Sequence, residues 1–149
     1  MGQSLSQIYI HLIFGTKRKM PLIQSDIKDE LHTYLAGILK QQNSPAININ
    51  SMSDHIHILF RLSKNHSLAK VVEDIKKSSS KWLKHKGVAN FNWQNGYGAF
   101  SVSSSKLEIV KKYIDNQTEH HKKMTFAEEV ELFMQEYHIE NYNREYFWR

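Results

Sequence analysis

The chain lacks cysteine altogether and contains only two prolines and six glycines among its 149 residues. Without cysteine there is no disulfide, no thiolate zinc site and no cysteine nucleophile, which is typical of a reducing compartment. No apolar run approaches the roughly 18 residues that a membrane span needs, and the first residues lack a signal-peptide pattern. A glycine-rich phosphate-binding loop is also missing. We therefore expect a cytoplasmic protein with no membrane contact.

The composition indicates one folded domain over residues 1–149. Apolar residues make up 40% of the chain and aromatic residues 11%, which is enough for a real core. The net charge of +5 is unevenly distributed. Residues 1–118 hold 16 Lys+Arg and 8 Asp+Glu, a net of +8, whereas residues 119–149 hold 4 and 7, a net of −3. A basic body of this kind favours a polyanionic partner.

Apolar periodicity predicts elements in the order β-α-β-β-α-β-α-α. The expected strands are 5–14, one opening at Ile47, 55–62 and 97–103. The expected helices are one from about residue 25, 67–85, 105–121 and one from Thr125. Ser67 is the expected cap of the second helix, and Ser105 and Thr125 each begin a capping box.

The βαββαβ portion is typical of a ferredoxin-like α+β sandwich with both helices on one face of an antiparallel sheet. We expect the other face to be free for a ligand, a nucleic acid or another subunit. The core is expected at about 5–122, and the helix and aromatic tail of 125–149 either fold back or pack on a partner.

Two histidines stand on the cleanest predicted strand. His55 and His57 are two residues apart, so both side chains leave one face, roughly 6.5–7 Å apart along the backbone. Ile56 points to the opposite face, where the core should lie. Imidazole is a common metal ligand, and the alternative is two unrelated surface histidines. Asp54 either orients an imidazole or sits in a turn, and we favour the turn.

A tyrosine and a glutamine share one face of the predicted helix 105–121. Tyr113 and Gln117 are four residues apart, and Tyr113 lies off the apolar stripe of that helix. Tyrosine usually serves in packing, and it becomes a nucleophile only with the help of a cation or base, such as a divalent metal on a phosphate. We interpret His120 and His121 as solvent or DNA contacts, although His121 lies one turn past Gln117 and within reach of the same site.

Lysines dominate the helix 67–85 and its flanks. Seven lysines lie from Lys64 to Lys86, against Glu73 and Asp74. They form either a solvated face or a surface that contacts phosphates. A second basic segment, at residues 17–19, is a predicted loop. The candidate residues for contact with the phosphates of a polyanion are Lys70, Lys77, Lys81, Lys84, Lys17 and Arg18.

Two motifs together resemble a known family. His55-Ile56-His57, within the segment 52–60, resembles the His-hydrophobic-His motif of HUH endonucleases. Tyr113-Ile114-Asp115-Asn116-Gln117 resembles the catalytic-helix motif of single-tyrosine transposases of the insertion-sequence 200/605 kind and their REP-associated relatives. The segment 91–98 and the first strand also match the general pattern of this family. The matching segments follow one another in the family's order, and the resemblance extends to about residue 135.

The resemblance implies a transposase that cleaves and rejoins single-stranded DNA at the ends of a small mobile element. His55, His57 and Gln117 would hold one Mg²⁺ or Mn²⁺ that polarises the scissile phosphate. Tyr113 would attack phosphorus and leave a 5′-phosphotyrosine link and a free 3′-OH. Because the link retains the bond energy, no ATP is needed.

The resemblance also implies partners. DNA hairpins near the element ends would bind a basic surface, for which the helix 67–85 is our candidate, and the protein would associate with the nucleoid. Homodimers of this family join edge strands, and the tyrosine helix of one subunit can complete the site of the other. Two alternatives stay open: a domesticated or replication/relaxase-type HUH nickase, and a non-catalytic ferredoxin-like nucleic-acid-binding module in which Tyr9 and His11 stack bases.

Overall fold

A computed structural model describes residues 2–149. The strands are β1 (Ile8–Gly15), β2 (Ala46–Ser51), β3 (His55–Leu62) and β4 (Gly98–Val102). The helices are α1 (Lys28–Gln41), α2 (Leu68–His85), α3 (Leu107–Asp115), α4 (Gln117–His120), α5 (Phe126–Glu136) and α6 (Arg144–Phe147). Residues 17–19, termed the basic turn below, form a single 3₁₀ turn directly after β1.

The four strands form one antiparallel sheet in the order β2-β3-β1-β4. This is the ferredoxin-like α+β arrangement predicted from the sequence. The two central strands are paired along their whole length, so that Gly15 at the end of β1 lies opposite His55 at the start of β3. The edges of the described sheet are β2 and β4, whereas β3 is internal.

The main core fills the space between the sheet and the helices α1 and α2. Alternate residues of β1 and β3 point to this face, and the apolar stripes of both helices meet them, as the periodicity predicted. Ser67 caps α2 by accepting a hydrogen bond from the Lys70 N–H. The fully buried members of this core include Leu12, Phe14, Leu31, Leu35, Leu39, Ile56, Ile58, Phe60, Val71, Ile75 and Leu83.

The opposite face of the sheet is covered, and the expectation that it would be free is wrong. α5 packs there on Ile13 and Phe100, and α3 packs on Leu59 and Val102. These sheet residues are apolar, and burying them removes their surface from water. The helices of the βαββαβ unit therefore do share one face as predicted, while the helices that follow it occupy the other. The site histidines lie beneath this second layer.

The predicted continuous helix 105–121 is divided in the structure. Residues 104–106 form a 3₁₀ turn, so Ser105 lies inside that turn and makes no capping bond to α3, contrary to prediction. Asn116, at ψ 18°, then separates α3 from α4. Asparagine is a poor helix-interior residue, which suits it to the interruption between the two helices. The second predicted capping box, between Thr125 and Glu128, is confirmed at the start of α5.

The C-terminal segment folds back on its own chain. Arg144 forms two hydrogen bonds with Glu131 of α5, at 2.6 and 2.8 Å. The ring of Trp148 packs edge-on against Phe126 of α5, and the Lys19 Nζ lies 4.2 Å from the centre of the Trp148 ring. The tail thereby joins α5 to the basic turn. Within residues 2–149, no helix has the length and apolar character needed to cross a membrane.

Candidate functional site

β3 brings its two histidines to the covered face of the sheet. The strand alternates cleanly, so Ile56 and Ile58 enter the main core while His55 and His57 point the other way. Both histidine side chains are fully buried. Two unrelated surface histidines, the alternative left open by the sequence, are therefore excluded.

Hydrogen bonds at Nδ1 fix the orientation of three imidazoles. Asp54 Oδ1 accepts from His55 Nδ1 at 2.7 Å, and the carbonyl oxygen of Met124 accepts from His121 Nδ1 at 2.9 Å. The Nδ1 atom of His57 lies 2.8 Å from the Nε2 atom of His11, on the neighbouring strand. In all three rings the Nε2 atom is left to face a common centre. Asp54 is thus a partner of His55, and our preference for a simple turn residue is wrong.

α3 and α4 bring Tyr113 and Gln117 to the same centre. The edge strand β2 anchors α3, since the Asn50 side chain donates to the Ile114 carbonyl at 2.8 Å. Gln117 is fully buried, and its Oε1 atom lies 3.2 Å from His55 Nε2. The same Oε1 atom lies 3.0 Å from His121 Nε2, so His121 does reach the site. Tyr113 is half-buried beside them.

Glu129 of α5 is the site residue that the sequence reasoning missed. Its Oε1 atom lies 3.3 Å from His55 Nε2 and 3.1 Å from the Nε2 atoms of both His57 and His121. Its Oε2 atom accepts hydrogen bonds from the Tyr113 hydroxyl and, at 3.1 Å, from Gln117 Nε2. One signal was available: positions 126, 129, 130 and 133 have the spacing of a buried helix face, and a glutamate on such a face needs polar partners.

The buried setting shifts the pKa values of the imidazoles in different directions. Burial lowers the pKa of His57 to about 4 and that of His11 to about 3, and the neighbouring His57 adds to the shift of His11. Burial alone would also lower the pKa of His55. Its hydrogen bonds with Asp54 and Glu129 outweigh that effect and raise its pKa. Burial thus favours the neutral imidazole at His57. A neutral imidazole has a free lone pair with which it can bind a metal ion.

The carboxylate of Glu129 stays ionised in this setting. Burial would raise its pKa, but the hydrogen bonds with His121, His55 and His57 hold the pKa far below its usual range. Burial and the charge of Glu129 together raise the pKa of Tyr113 well above its usual value. The phenol is therefore held in its protonated form and donates to the carboxylate.

The donor set fits a divalent metal ion. Ligand atoms of His55, His57, His121 and Glu129 all lie within 4.8 Å of one another. Imidazole nitrogens mixed with carboxylate and amide oxygens are ligands that a divalent metal ion accepts. The second partner of each imidazole, at Nδ1, is the usual support of metal-binding histidines.

The candidate DNA-binding residues lie in two places. α2 packs on the opposite face of the sheet from the site. Lys70 pairs there with Asp74 at 3.0 Å, whereas no carboxylate within residues 2–149 pairs with Lys77, Lys81 and Lys84. The basic turn of Lys17 and Arg18 is at the site end of the sheet, because the adjoining Thr16 N–H donates to the Asp54 carbonyl at 2.9 Å.

The fold and the site together define a class of protein. A histidine pair from a His-Ile-His triplet on a central antiparallel strand faces a tyrosine and a glutamine from the helices packed over it. With its metal-binding donor set, this is the arrangement of an HUH-type DNA-processing protein.

Comparisons with known proteins narrow that class. The family described as "Transposase IS200 like" matches residues 4–117, so the chain belongs to the IS200-like transposase family. The ISDra2 transposase TnpA of Deinococcus radiodurans is 25% identical over 118 residues, covering 74% of this chain and 84% of the relative. α5, with Glu129, lies beyond the residues that the family matches.

Two solved structures share the fold. One is a transposase from Deinococcus radiodurans at a TM-score of 0.61 and 23% identity, covering 78% of this chain and 96% of that one. The other is a REP-associated tyrosine transposase bound to a REP hairpin, at a TM-score of 0.59 and 14% identity. That match covers 81% of this chain and 74% of the other. Both support the α+β fold described above.

Proposed function

We propose that this transposase cleaves and rejoins single-stranded DNA at the ends of a small insertion sequence, with Tyr113 as the nucleophile. The observation that carries the proposal is the convergence of metal donors and a tyrosine hydroxyl. His55, His57 and Gln117 present Nε2 and Oε1 atoms to one centre, and Glu129 bridges that centre to Tyr113. A metal ion and a nucleophile on either side of one phosphate are what a phosphoryl transfer of this kind requires.

The chemistry follows from the groups present. A divalent ion, Mg²⁺ or Mn²⁺, would be held by His55, His57 and Gln117 and would polarise the scissile phosphate. The Tyr113 oxygen forms a bond to phosphorus, and the bond from phosphorus to the 3′-oxygen breaks. Tyr113 loses its hydroxyl proton, and the 3′-oxygen takes up a proton to become a free 3′-OH. The products are a 5′-phosphotyrosine link and a strand end that can reverse the step on another strand.

The basic residues lie at two places on the fold, and we assign a different part of the DNA to each. The basic turn adjoins both the site end of the sheet and the segment after α2, since the Lys17 N–H donates to the Asn92 carbonyl at 2.8 Å. We assign Lys17 and Arg18 to the single strand near the site. We assign Lys77 and Lys81 to a hairpin on the opposite face. A relative with the same fold is bound to a REP hairpin, which supports hairpin binding here.

A homodimer is part of the proposal. β2 and β4 are the edges of the described sheet, so each has a side free for pairing with a second copy. Size-exclusion chromatography with light scattering tests this state, and a protein that stays monomeric with and without DNA contradicts it.

Covalent trapping tests the chemistry. The protein is incubated with Mn²⁺ and labelled single-stranded DNA from the flanks of its gene, and the adduct is resolved on a denaturing gel. We expect an adduct whose phosphotyrosine maps to Tyr113 by mass spectrometry. Tyr113→Phe, His57→Ala and EDTA should each abolish it, and Tyr146→Phe, which alters an exposed tyrosine, should not.

The outcomes separate the alternatives. An adduct that survives Tyr113→Phe overturns the mechanism. Cleavage without transfer to a second element end indicates the replication- or relaxase-type nickase instead. Binding without any adduct indicates the non-catalytic module. The structure already weakens that module, because His11 is buried against His57 and is not available to stack a base.

Salt dependence tests the lysine assignment. Removal of Lys77 and Lys81 together should lower the slope of log affinity for the hairpin against log salt by about 1.8, or about 0.9 for each lost contact with duplex phosphate. Lys28→Ala with Lys40→Ala on α1 is the matched control with the same change of charge. An unchanged slope in the Lys77 and Lys81 variant would refute the assignment.

A further inference from the structure

The candidate site is closed to a DNA strand in the structure. The side chains of His55, His57 and Gln117 have no exposed surface, and that of Glu129 is only 1% exposed. α5 causes this closure, since Phe126 stacks on the His55 ring at 4.0 Å between ring centres and Phe133 packs edge-on against His11 at 5.4 Å. A phosphodiester cannot reach the donor atoms while α5 stays in place.

Glu129 occupies the place that a substrate phosphate needs. One carboxylate oxygen faces the imidazoles of His55, His57 and His121, and the other accepts the Tyr113 hydroxyl. A scissile phosphate would likewise present one oxygen to the ion that these imidazoles would hold, while Tyr113 meets its phosphorus. Both groups are anions that offer oxygen atoms to a metal ion, and their negative charges would repel each other if both were in the site. The two therefore compete for one position.

α5 is attached in a way that permits displacement. It follows the turn 121–125 and lies outside the family-matched residues 4–117. Its link to the tail includes the exposed pair of Arg144 and Glu131, and exposed pairs contribute little to stability. Its contacts with the sheet are made by side chains, in one apolar cluster and the polar contacts of Glu129, rather than by strand pairing. An element of this kind can open locally while the rest of the fold stays intact.

We propose that Glu129 is an internal ligand of the site, which holds the place of the scissile phosphate, and that α5 leaves the sheet face when single-stranded DNA takes that place. This inference rests on the proposed function. In the free protein Glu129 would complete the donor set for the metal ion, and it accepts the hydrogen bond of the Tyr113 hydroxyl. Because DNA binds only the open form, its apparent affinity is reduced by the fraction of open protein.

Hydrogen exchange on the wild-type protein tests the displacement. Exchange of residues 126–136 is followed by mass spectrometry in Mn²⁺, with and without single-stranded DNA from the flanks of the gene. We expect faster exchange in α5 when the DNA is bound, while β1 and β3 keep their protection. Equal or slower exchange of α5 in the DNA complex would overturn the proposal.

The isosteric variant Glu129→Gln tests the carboxylate itself. Mn²⁺ affinity without DNA, measured by calorimetry, should fall about tenfold because a charged donor is lost. Affinity for the same DNA at saturating Mn²⁺ should rise about tenfold because the competing anion is gone. Glu128→Gln is the matched control: Glu128 is exposed on the same helix, and glutamine preserves its capping box. A DNA affinity that falls in Glu129→Gln, or that equals the control, overturns the proposal.

The two proposals fail separately. If wild-type protein forms the Tyr113 adduct and α5 keeps its protection with DNA bound, the internal ligand is refuted and the proposed function stands. If no adduct forms on any substrate while Glu129→Gln changes both affinities as expected, the internal ligand stands and the tyrosine chemistry is refuted.

Discussion

A single methyl group at Gly15 should disturb the packing of α5 on the sheet. A Cβ atom at this position would lie 2.6 Å from Cε2 of Phe126 and 3.0 Å from the carbonyl oxygen of Asp54. The Asp54 oxygen is backbone and cannot give way easily, so the Phe126 ring must move. That ring is stacked on His55 and is 2% exposed. Overpacking of this kind costs about 1–3 kcal/mol, and we expect Gly15→Ala to lower the free energy of unfolding by that amount.

Urea denaturation of Gly15→Ala measures this loss, and Gly37→Ala provides a matched control. Gly37 lies on the exposed face of α1, where an added Cβ atom would meet no other atom within 4 Å, so the same substitution there should raise stability by about 0.5–1 kcal/mol. The double variant Gly15→Ala with Phe126→Leu should lose less than the sum of its single variants, because the smaller side chain makes room. A Gly15→Ala protein as stable as wild type, or additive losses in the double variant, would refute the reasoning.

Three further results are expected. Ser67→Ala should cost about 1 kcal/mol in urea denaturation because it removes the cap of α2, whereas Ser105→Ala should stay within about 0.5 kcal/mol because that serine caps nothing. Burial and the nearby Lys28 lower the pKa of His32 to about 4. Its contribution to stability is therefore complete above pH 6.5 and is lost as the pH falls towards 4, and His32→Gln should flatten that part of the stability profile. Mn²⁺ at a hundred times its Kd should stabilise the protein by about 2.7 kcal/mol in a thermal melt, and EDTA or His57→Ala should remove the gain.

The sequence was informative wherever a pattern was local. The alternation from His55 to Leu62 correctly separated the core face from the site face, and the spacing of Tyr113 and Gln117 correctly placed them together. The sequence did not reveal that α5 covers this face, because the contact of Glu129 with His57 joins residues 72 positions apart. Helix propensity and periodicity predict that residues form a helix, but they do not predict the surface on which that helix packs.

The roles of the lysines in the segment 64–86 could not be predicted from the sequence either. The seven lysines look alike in the sequence, but the structure gives them different roles. Lys76 donates to the carbonyl oxygens of Gln94, Asn95 and Gly96 at 2.6–3.2 Å and so holds a loop together. Lys86 pairs with Glu30 of α1 at 3.2 Å. The charge available to a polyanion is therefore smaller than the count of lysines suggests, since the partners come from distant parts of the chain.

The partners that orient the imidazoles also set an order of assembly. His55 is held by the adjacent Asp54, and His121 by a carbonyl three residues further along, so both orientations form with the local chain. His57 is held by His11, 46 residues away, and reaches its orientation only when β1 and β3 have paired. Contacts between distant residues form late because closing the intervening loop costs entropy. Full metal affinity should therefore develop as one of the last events in folding, after the central strands have paired.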